Sequence, residues 1–232
     1  MLPSIFPAFP ERREFDLYAT MDPAKEVGGD FYNFFLVDDD HLALVIGDVS
    51  GKGIPAALFM MVTNILITMR TRMGGTPAEV LEFVNNELCE HNEAEMFCTL
   101  WMGILEISTG KVIEVNAGHE NPVIYRKGVG YEERKTKHNI ALATMPGIKY
   151  KNHEFELGVG DKIFVYTDGV PEATDANNHM YTMERLVDRL NGIKDYKMKE
   201  TLERVHQSVN TFVGSAPQFD DLTMLGLEYL GK

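Results

Sequence analysis

Two short apolar runs meet across an acidic turn early in the chain, and this pair restricts the fold more than any other feature. Gly28-Gly29-Asp30-Phe31-Tyr32 leads into the first run, Leu42-Ala43-Leu44-Val45-Ile46-Gly47-Asp48 forms the second, and Asp38-Asp39-Asp40 lies between them. Consecutive aspartates favour a tight turn, because their short side chains hydrogen-bond the adjoining backbone. A hairpin centred on Asp39 puts Asp30 opposite Asp48 at its open end. Facing carboxylates repel and cost stability unless positive charge lies between them. A divalent ion suits that place, and an all-oxygen site favours Mg²⁺ or Mn²⁺. The alternative is two solvated aspartates at strand ends.

The same device recurs. The apolar run Ile163-Phe164-Val165-Tyr166-Thr167 delivers Asp168-Gly169, and Asp220-Asp221 opens the last apolar run of the chain. In an antiparallel sheet, strands that open on Asp30 and Asp220 and close on Asp48 and Asp168 can bring all four to one edge. Gly47, Gly51 and Gly53 bracket Asp48-Val49-Ser50, which lets the backbone approach a ligand closely and offers the Val49 carbonyl as a further donor. No GxxxxGK[ST] loop is present. Lys52 is expected to be a solvated side chain, with contact to a substrate phosphate as the second reading.

Helix and strand signals place these residues in an α+β frame. A helix over 55–73, with Pro55 in its first turn, is apolar nearly all round and is expected to be buried on more than one side. Thr76-Pro77-Ala78-Glu79 is a capping box for a second helix with core face Val80, Phe83, Val84 and Leu88. Strands are predicted over 99–107, 111–116, 122–125, 162–167 and 222–229, with a turn at Ser108-Thr109-Gly110. Met198, Leu202, Val205, Val209 and Phe212 share one helical face. A mostly antiparallel β-sheet architecture flanked by helices follows, rather than a doubly wound parallel sheet. Residues 1–13, rich in proline, are expected to be an extended lead-in or linker remnant, and residues 14–232 one domain.

Composition excludes several classes. A formal net charge of −13 opposes nucleic-acid binding. Cys89 and Cys98 form neither a CxxC pair nor a disulfide framework and read as reduced thiols. Residues 1–15 lack a basic start followed by an apolar stretch, and the longest unbroken apolar run, residues 56–62, is short for a membrane span. The expected location is cytoplasmic, either alone or as the cytoplasmic domain of a longer sensor protein.

Five ordered motifs now stand together: Val27-Gly28-Gly29-Asp30-Phe31-Tyr32, Gly47-Asp48-Val49-Ser50-Gly51-Lys52-Gly53, Asn116-Ala117-Gly118-His119, Thr167-Asp168-Gly169-Val170 and Asp220-Asp221-Leu222-Thr223. In this order the chain resembles the bacterial SpoIIE-like branch of the metal-dependent PPM phosphatases, relatives of the type 2C Ser/Thr phosphatases, from about Phe15 to Tyr229. The resemblance implies an αββα sandwich holding two Mn²⁺ or Mg²⁺ ions. It makes Asp48 the bridge between them, Asp30 and the Val49 carbonyl further ligands of one, and Asp168 and Asp220 ligands of the other. Asp221, a metal candidate by its position, would stand where relatives carry asparagine. Asp48 and Asp30 would be the catalytic pair, supporting a metal-bridging hydroxide that attacks phosphorus without a covalent phosphoenzyme. The implied substrate is a phosphoserine or phosphothreonine on a bacterial regulatory protein such as an anti-sigma-factor antagonist. The 55–73 helix leads directly from the metal loop, so regulation by a homodimer or an upstream sensor would act through it; the alternative is a core helix and no more.

Two positions depart from that pattern. Asn33 replaces an aspartate common among relatives, and Ser50 lies where type 2C enzymes carry a histidine. His119 is expected to be structural rather than a replacement acid. Two other readings remain: a catalytically silent phosphoprotein-binding module, and a two-metal nucleotide cyclase suggested by Gly28-Gly29-Asp30. The cyclase reading leaves Asp168 and Asp220-Asp221 unexplained.

Overall fold

The structure, a computed structural model, describes residues 12–90 and 92–232. Most of the expected lead-in, residues 1–11, lies outside the described residues. Ten strands form two five-stranded sheets, and among the described residues every pairing between named strands is antiparallel. One sheet runs β2 (Phe31–Leu36), β3 (His41–Val49), β4 (Cys98–Glu106), β5 (Lys111–Ala117) and β8 (His153–Glu156). The other runs β1 (Phe15–Asp22), β10 (Leu222–Tyr229), β9 (Lys162–Tyr166), β6 (Val123–Arg126) and β7 (Gly130–Glu133). Helices α1 (Ile54–Arg72) and α2 (Pro77–Cys89) cover the first sheet, and α3 (Met183–Gly192) and α4 (Met198–Val213) cover the second.

Period-two alternation explains why the central strands read as continuous apolar runs. On β3, Ala43 and Val45 point to the helices while Leu42, Leu44 and Ile46 meet the opposite sheet. On β10, Leu222 and Met224 face α4 while Leu225 and Leu227 enter the space between sheets. There they pack with Trp101, Ile163 and Val165. A layer filled from both sides fixes register, since a one-residue slip would reverse every side chain.

The hairpin and the second helix match the sequence expectation. Phe31 pairs with Gly47 and Leu36 with Leu42, so the hairpin is centred on Asp39. Asp38 closes the turn by accepting from the N–H groups of Asp40 and His41. Thr76 and Glu79 form the reciprocal capping box, although Phe83 lies largely exposed instead of joining the core face. The structure adds β1, β7, β8 and α3 to the elements the sequence predicts.

The first helix departs from expectation. Only Ala56, Thr63, Ile67 and Thr71 of α1 are buried, whereas Ile54, Leu58, Met61, Val62, Ile65 and Met69 are exposed. As an outer-layer helix it has one inward face, so an all-round apolar composition leaves its outer side bare. Among the described residues, α1 is the helix long and apolar enough to cross a membrane by length and composition. Here it lies on the sheet and beside α2, with Phe59, Met60 and Leu66 partly buried against the core.

This arrangement makes α1 asymmetric in energy. Ile67→Ala is expected to cost about 2–5 kcal/mol, as for a fully buried aliphatic residue, whereas Leu58→Ala should stay within about 0.5 kcal/mol. Urea unfolding of the two variants measures the contrast.

Candidate metal centre at the sheet edge

The ends of four strands, two in each sheet, bring the acidic residues to one end of the sandwich. Asp30 immediately precedes β2, and the register carries it beside Asp48 near the end of β3. Asp168 follows β9, while Asp220 and Asp221 precede β10, its neighbour in the other sheet. All five predicted aspartates thus meet where the two sheets approach. Thr167 stitches the sheets there: its hydroxyl donates to Asp30 Oδ2 at 2.7 Å and accepts from the Thr223 N–H at 3.3 Å. Thr167 and Thr223 are fully buried. Both lie in the quoted motifs, but their role depends on β9–β10 pairing and on the meeting of the sheets.

The electrostatics are those of negative charge gathered with little compensation, Lys52 being the one cation paired with these aspartates among the described residues. Asp30 is 3% exposed, and its carboxyl is raised far above the ordinary carboxylate range, first by burial and then by the charge of Asp48. Burial and then Asp168 raise Asp48, and burial and then Asp220 raise Asp168. Each carboxylate therefore feels the next along the edge.

The residues fit divalent ions. A Cβ on Gly29 would lie 2.6 Å from the Val49 carbonyl oxygen and 3.4 Å from Asp48 Oδ1, so the glycine keeps these two oxygens accessible side by side. Among the described residues, no three His, Cys, Asp or Glu side chains close round one point. Completion by a main-chain oxygen and by water matches Mg²⁺, which retains several waters and takes one or two carboxylates.

The two adjacent aspartates do different things. Asp221 is buried, and its Oδ1 accepts from the Ala24 N–H at 2.8 Å, which fastens the segment leading to Gly28. Asp220 Oδ1 accepts from the Asp221 N–H at 3.0 Å, and its Oδ2 accepts from Lys52 Nζ at 2.9 Å. Lys52 is exposed, as expected from sequence, but paired rather than free. It also donates to the Phe219 carbonyl at 3.1 Å, with its ammonium 5.0 Å from the Phe219 ring centre.

The remaining candidates have structural partners. His119 is buried, its N–H donates to Asn116 Oδ1, and burial pushes its imidazole down to about 3, which keeps it neutral. Ser50 Oγ accepts from the Phe97 N–H, tying the loop after β3 to the start of β4. Asn33 donates to Asn64 and Thr68 of α1, so its side chain turns toward the helix.

A two-sheet sandwich with helices on both faces and carboxylates at one end defines the class: the fold of the PP2C-type phosphatase domains. The family model described as Stage II sporulation protein E (SpoIIE) matches residues 38–230, and the chain belongs to that family. It is 30% identical over 247 residues to protein IcfG of Synechocystis sp., across 95% of this chain and 39% of that protein. It is 30% identical over 172 residues to the phosphoserine phosphatase RsbU of Bacillus subtilis, across 74% of this chain and 51% of that protein. The chain thus spans about half or less of these relatives' own lengths. Among solved structures, the SiaA-PP2C domain of Pseudomonas aeruginosa superposes with a TM-score of 0.82 at 21% identity, covering 92% of this chain and 85% of that one. RsbX in complex with magnesium gives 0.70 at 15% identity, covering 95% and 98%.

Two outcomes follow for the cation-free protein. A carboxyl raised on folding keeps its proton in the folded chain after the unfolded chain has released it. Stability is then greatest below the unfolded value near 4 and falls as pH rises through neutrality. Chelator-treated protein should melt at lower temperature at about pH 8 than at about pH 5, and Asp30→Asn should flatten that fall. Thr167→Val, which removes the buried donor to Asp30, should cost about 1–3 kcal/mol in chemical unfolding, with Thr167→Ser close to wild type.

Proposed function

We propose that this chain is the catalytic domain of a metal-dependent protein serine/threonine phosphatase. The observation that carries the reading is the buried Asp30 beside the half-buried Asp48 at the open end of the β2–β3 hairpin, in a chain of the SpoIIE family. Asp30, Asp48 and the Val49 carbonyl would hold one divalent ion, Mn²⁺ or Mg²⁺, and Asp48, Asp168 and Asp220 a second, these three carboxylates closing round a point only once an ion offsets their repulsion. Asp221 is better suited to holding the Ala24–Gly28 segment than to binding metal, because its carboxylate already accepts a main-chain N–H.

When bound, such ions supply positive charge for the phosphoryl oxygens and make water acidic enough to deliver a nucleophile near neutral pH. The protein's part is orientation. Thr167 aims one oxygen of Asp30, the hairpin fixes Asp48 opposite, and β9 and β10 bring Asp168 and Asp220 from the other sheet. His119, neutral and enclosed, is not suited to protonate the leaving alkoxide.

The substrate class we infer is a phosphoserine or phosphothreonine on a bacterial regulatory protein, of the kind typified by anti-sigma-factor antagonists. Support comes from the relatives named phosphoserine phosphatase. We infer a cytoplasmic setting, with a homodimer or an upstream sensor as regulator.

Chelator-stripped protein should not hydrolyse a phosphoserine peptide, and adding Mn²⁺ should restore turnover, with a phosphotyrosine peptide a poorer substrate. Asp48→Asn should fold normally by circular dichroism yet retain under about a tenth of the rate. Absence of turnover in both the stripped and restored states would favour the silent binding module instead.

A further inference from the structure

The acidic edge already holds one cation, and it belongs to the protein. Among the described residues, Lys52 is the one cationic side chain that forms an ion pair with any of the five aspartates. Its ammonium takes a carboxylate oxygen of Asp220 and the carbonyl oxygen of Phe219, the oxygen types a hard divalent ion also takes. The other Asp220 oxygen is engaged by the Asp221 N–H. A metal ion approaching Asp220 therefore finds one oxygen committed to the backbone and the other to Lys52.

The loop carrying Lys52 is built to release it. Gly51 and Gly53 flank it with φ of 88° and 83°, and a Cβ at either would meet nothing within 4 Å. The lysine is thus tethered between two residues in left-handed backbone, in open surroundings, and not packed in place. Its side chain is 42% exposed, so the pair is a partly solvated one of modest strength that a divalent ion can outcompete. Among the described residues, no cationic side chain forms an ion pair with Asp30 or Asp48 in the other half of the centre. Asp30 accepts from the Thr167 hydroxyl, and Asp48 faces the carboxyls of Asp30 and Asp168.

We infer that Lys52 is a built-in competitor of the second metal ion: it neutralises Asp220 until that ion displaces it, so that the two metal positions fill in sequence, Asp30–Asp48 first and Asp168–Asp220 second. The inference rests on the metal-centre reading above. It makes Lys52 a determinant of the free metal concentration at which the centre is complete.

Titration with Mn²⁺, followed by calorimetry and by the electron paramagnetic resonance of unbound Mn²⁺, tests this without any turnover measurement. Wild-type protein should show a strong step and a weaker step. Lys52→Met, which keeps an apolar stem beside Phe219, should tighten the weaker step by roughly two- to fivefold and leave the strong step unmoved. Lys52→Arg, which restores the ion pair, should return the wild-type isotherm. A weaker step that is unchanged or loosened in folded Lys52→Met overturns the inference, since Lys52 would then be neutral toward the ion or helpful to it. If wild type, Lys52→Met and Asp48→Asn all fail to bind Mn²⁺, the metal-centre reading itself falls, and this inference with it.

Discussion

The hydrogen bond from Thr167 to Asp30 is the contact on which the acidic edge depends. It joins a residue that ends a strand of one sheet to a residue that opens a strand of the other. Sheets in a sandwich are otherwise held by apolar packing, which resists separation but has little preference for small sliding motions. A short, buried hydrogen bond has a strong preference, because its donor and acceptor cannot exchange for water. The Thr223 N–H completes the relay, so the alignment of Asp30 with Asp168 and Asp220 is tied to β9–β10 pairing.

Burial gives the acidic edge its chemical character. Carboxylates in water would ionise independently. Placed in a sandwich end with Asp30 almost wholly enclosed, they share a deficit of positive charge that protons, a lysine or metal ions can fill. The fold therefore stores unfavourable electrostatics at one end and balances it with the apolar layer between the sheets. Such localised conflict within a well-packed frame is typical of functional sites.

What could be read from sequence followed how local each signal was. The β2–β3 register was legible because a turn residue and a period-two run fix it jointly, and the α2 cap because both halves of the box lie three residues apart. The exposure of α1 was not legible: a helix apolar all round carries no periodicity from which a face could be chosen. Strands β7 and β8 are four residues long and each holds one aromatic residue among polar ones and glycine, so neither forms an apolar run. The different fates of Asp220 and Asp221 arise from their partners, Lys52 for one and the Ala24 N–H for the other, both distant in sequence. The Lys52–Asp220 pair spans most of the chain, beyond the reach of any local pattern.

The sheet order carries one more consequence, for the way the molecule comes into being. β10 is the last strand of the chain, yet it sits between β1 and β9 in its sheet. During synthesis β1 must wait, unpaired, for a partner some two hundred residues away, and loop closure over such a span is slow. The segment that completes the sheet is also the one that brings Asp220 to the edge. A nascent or truncated chain can thus form the Asp30–Asp48 hairpin but not the finished centre, and the apolar face of α4 stays uncovered in it. Arrival of β10 and competence of the site come in the same step.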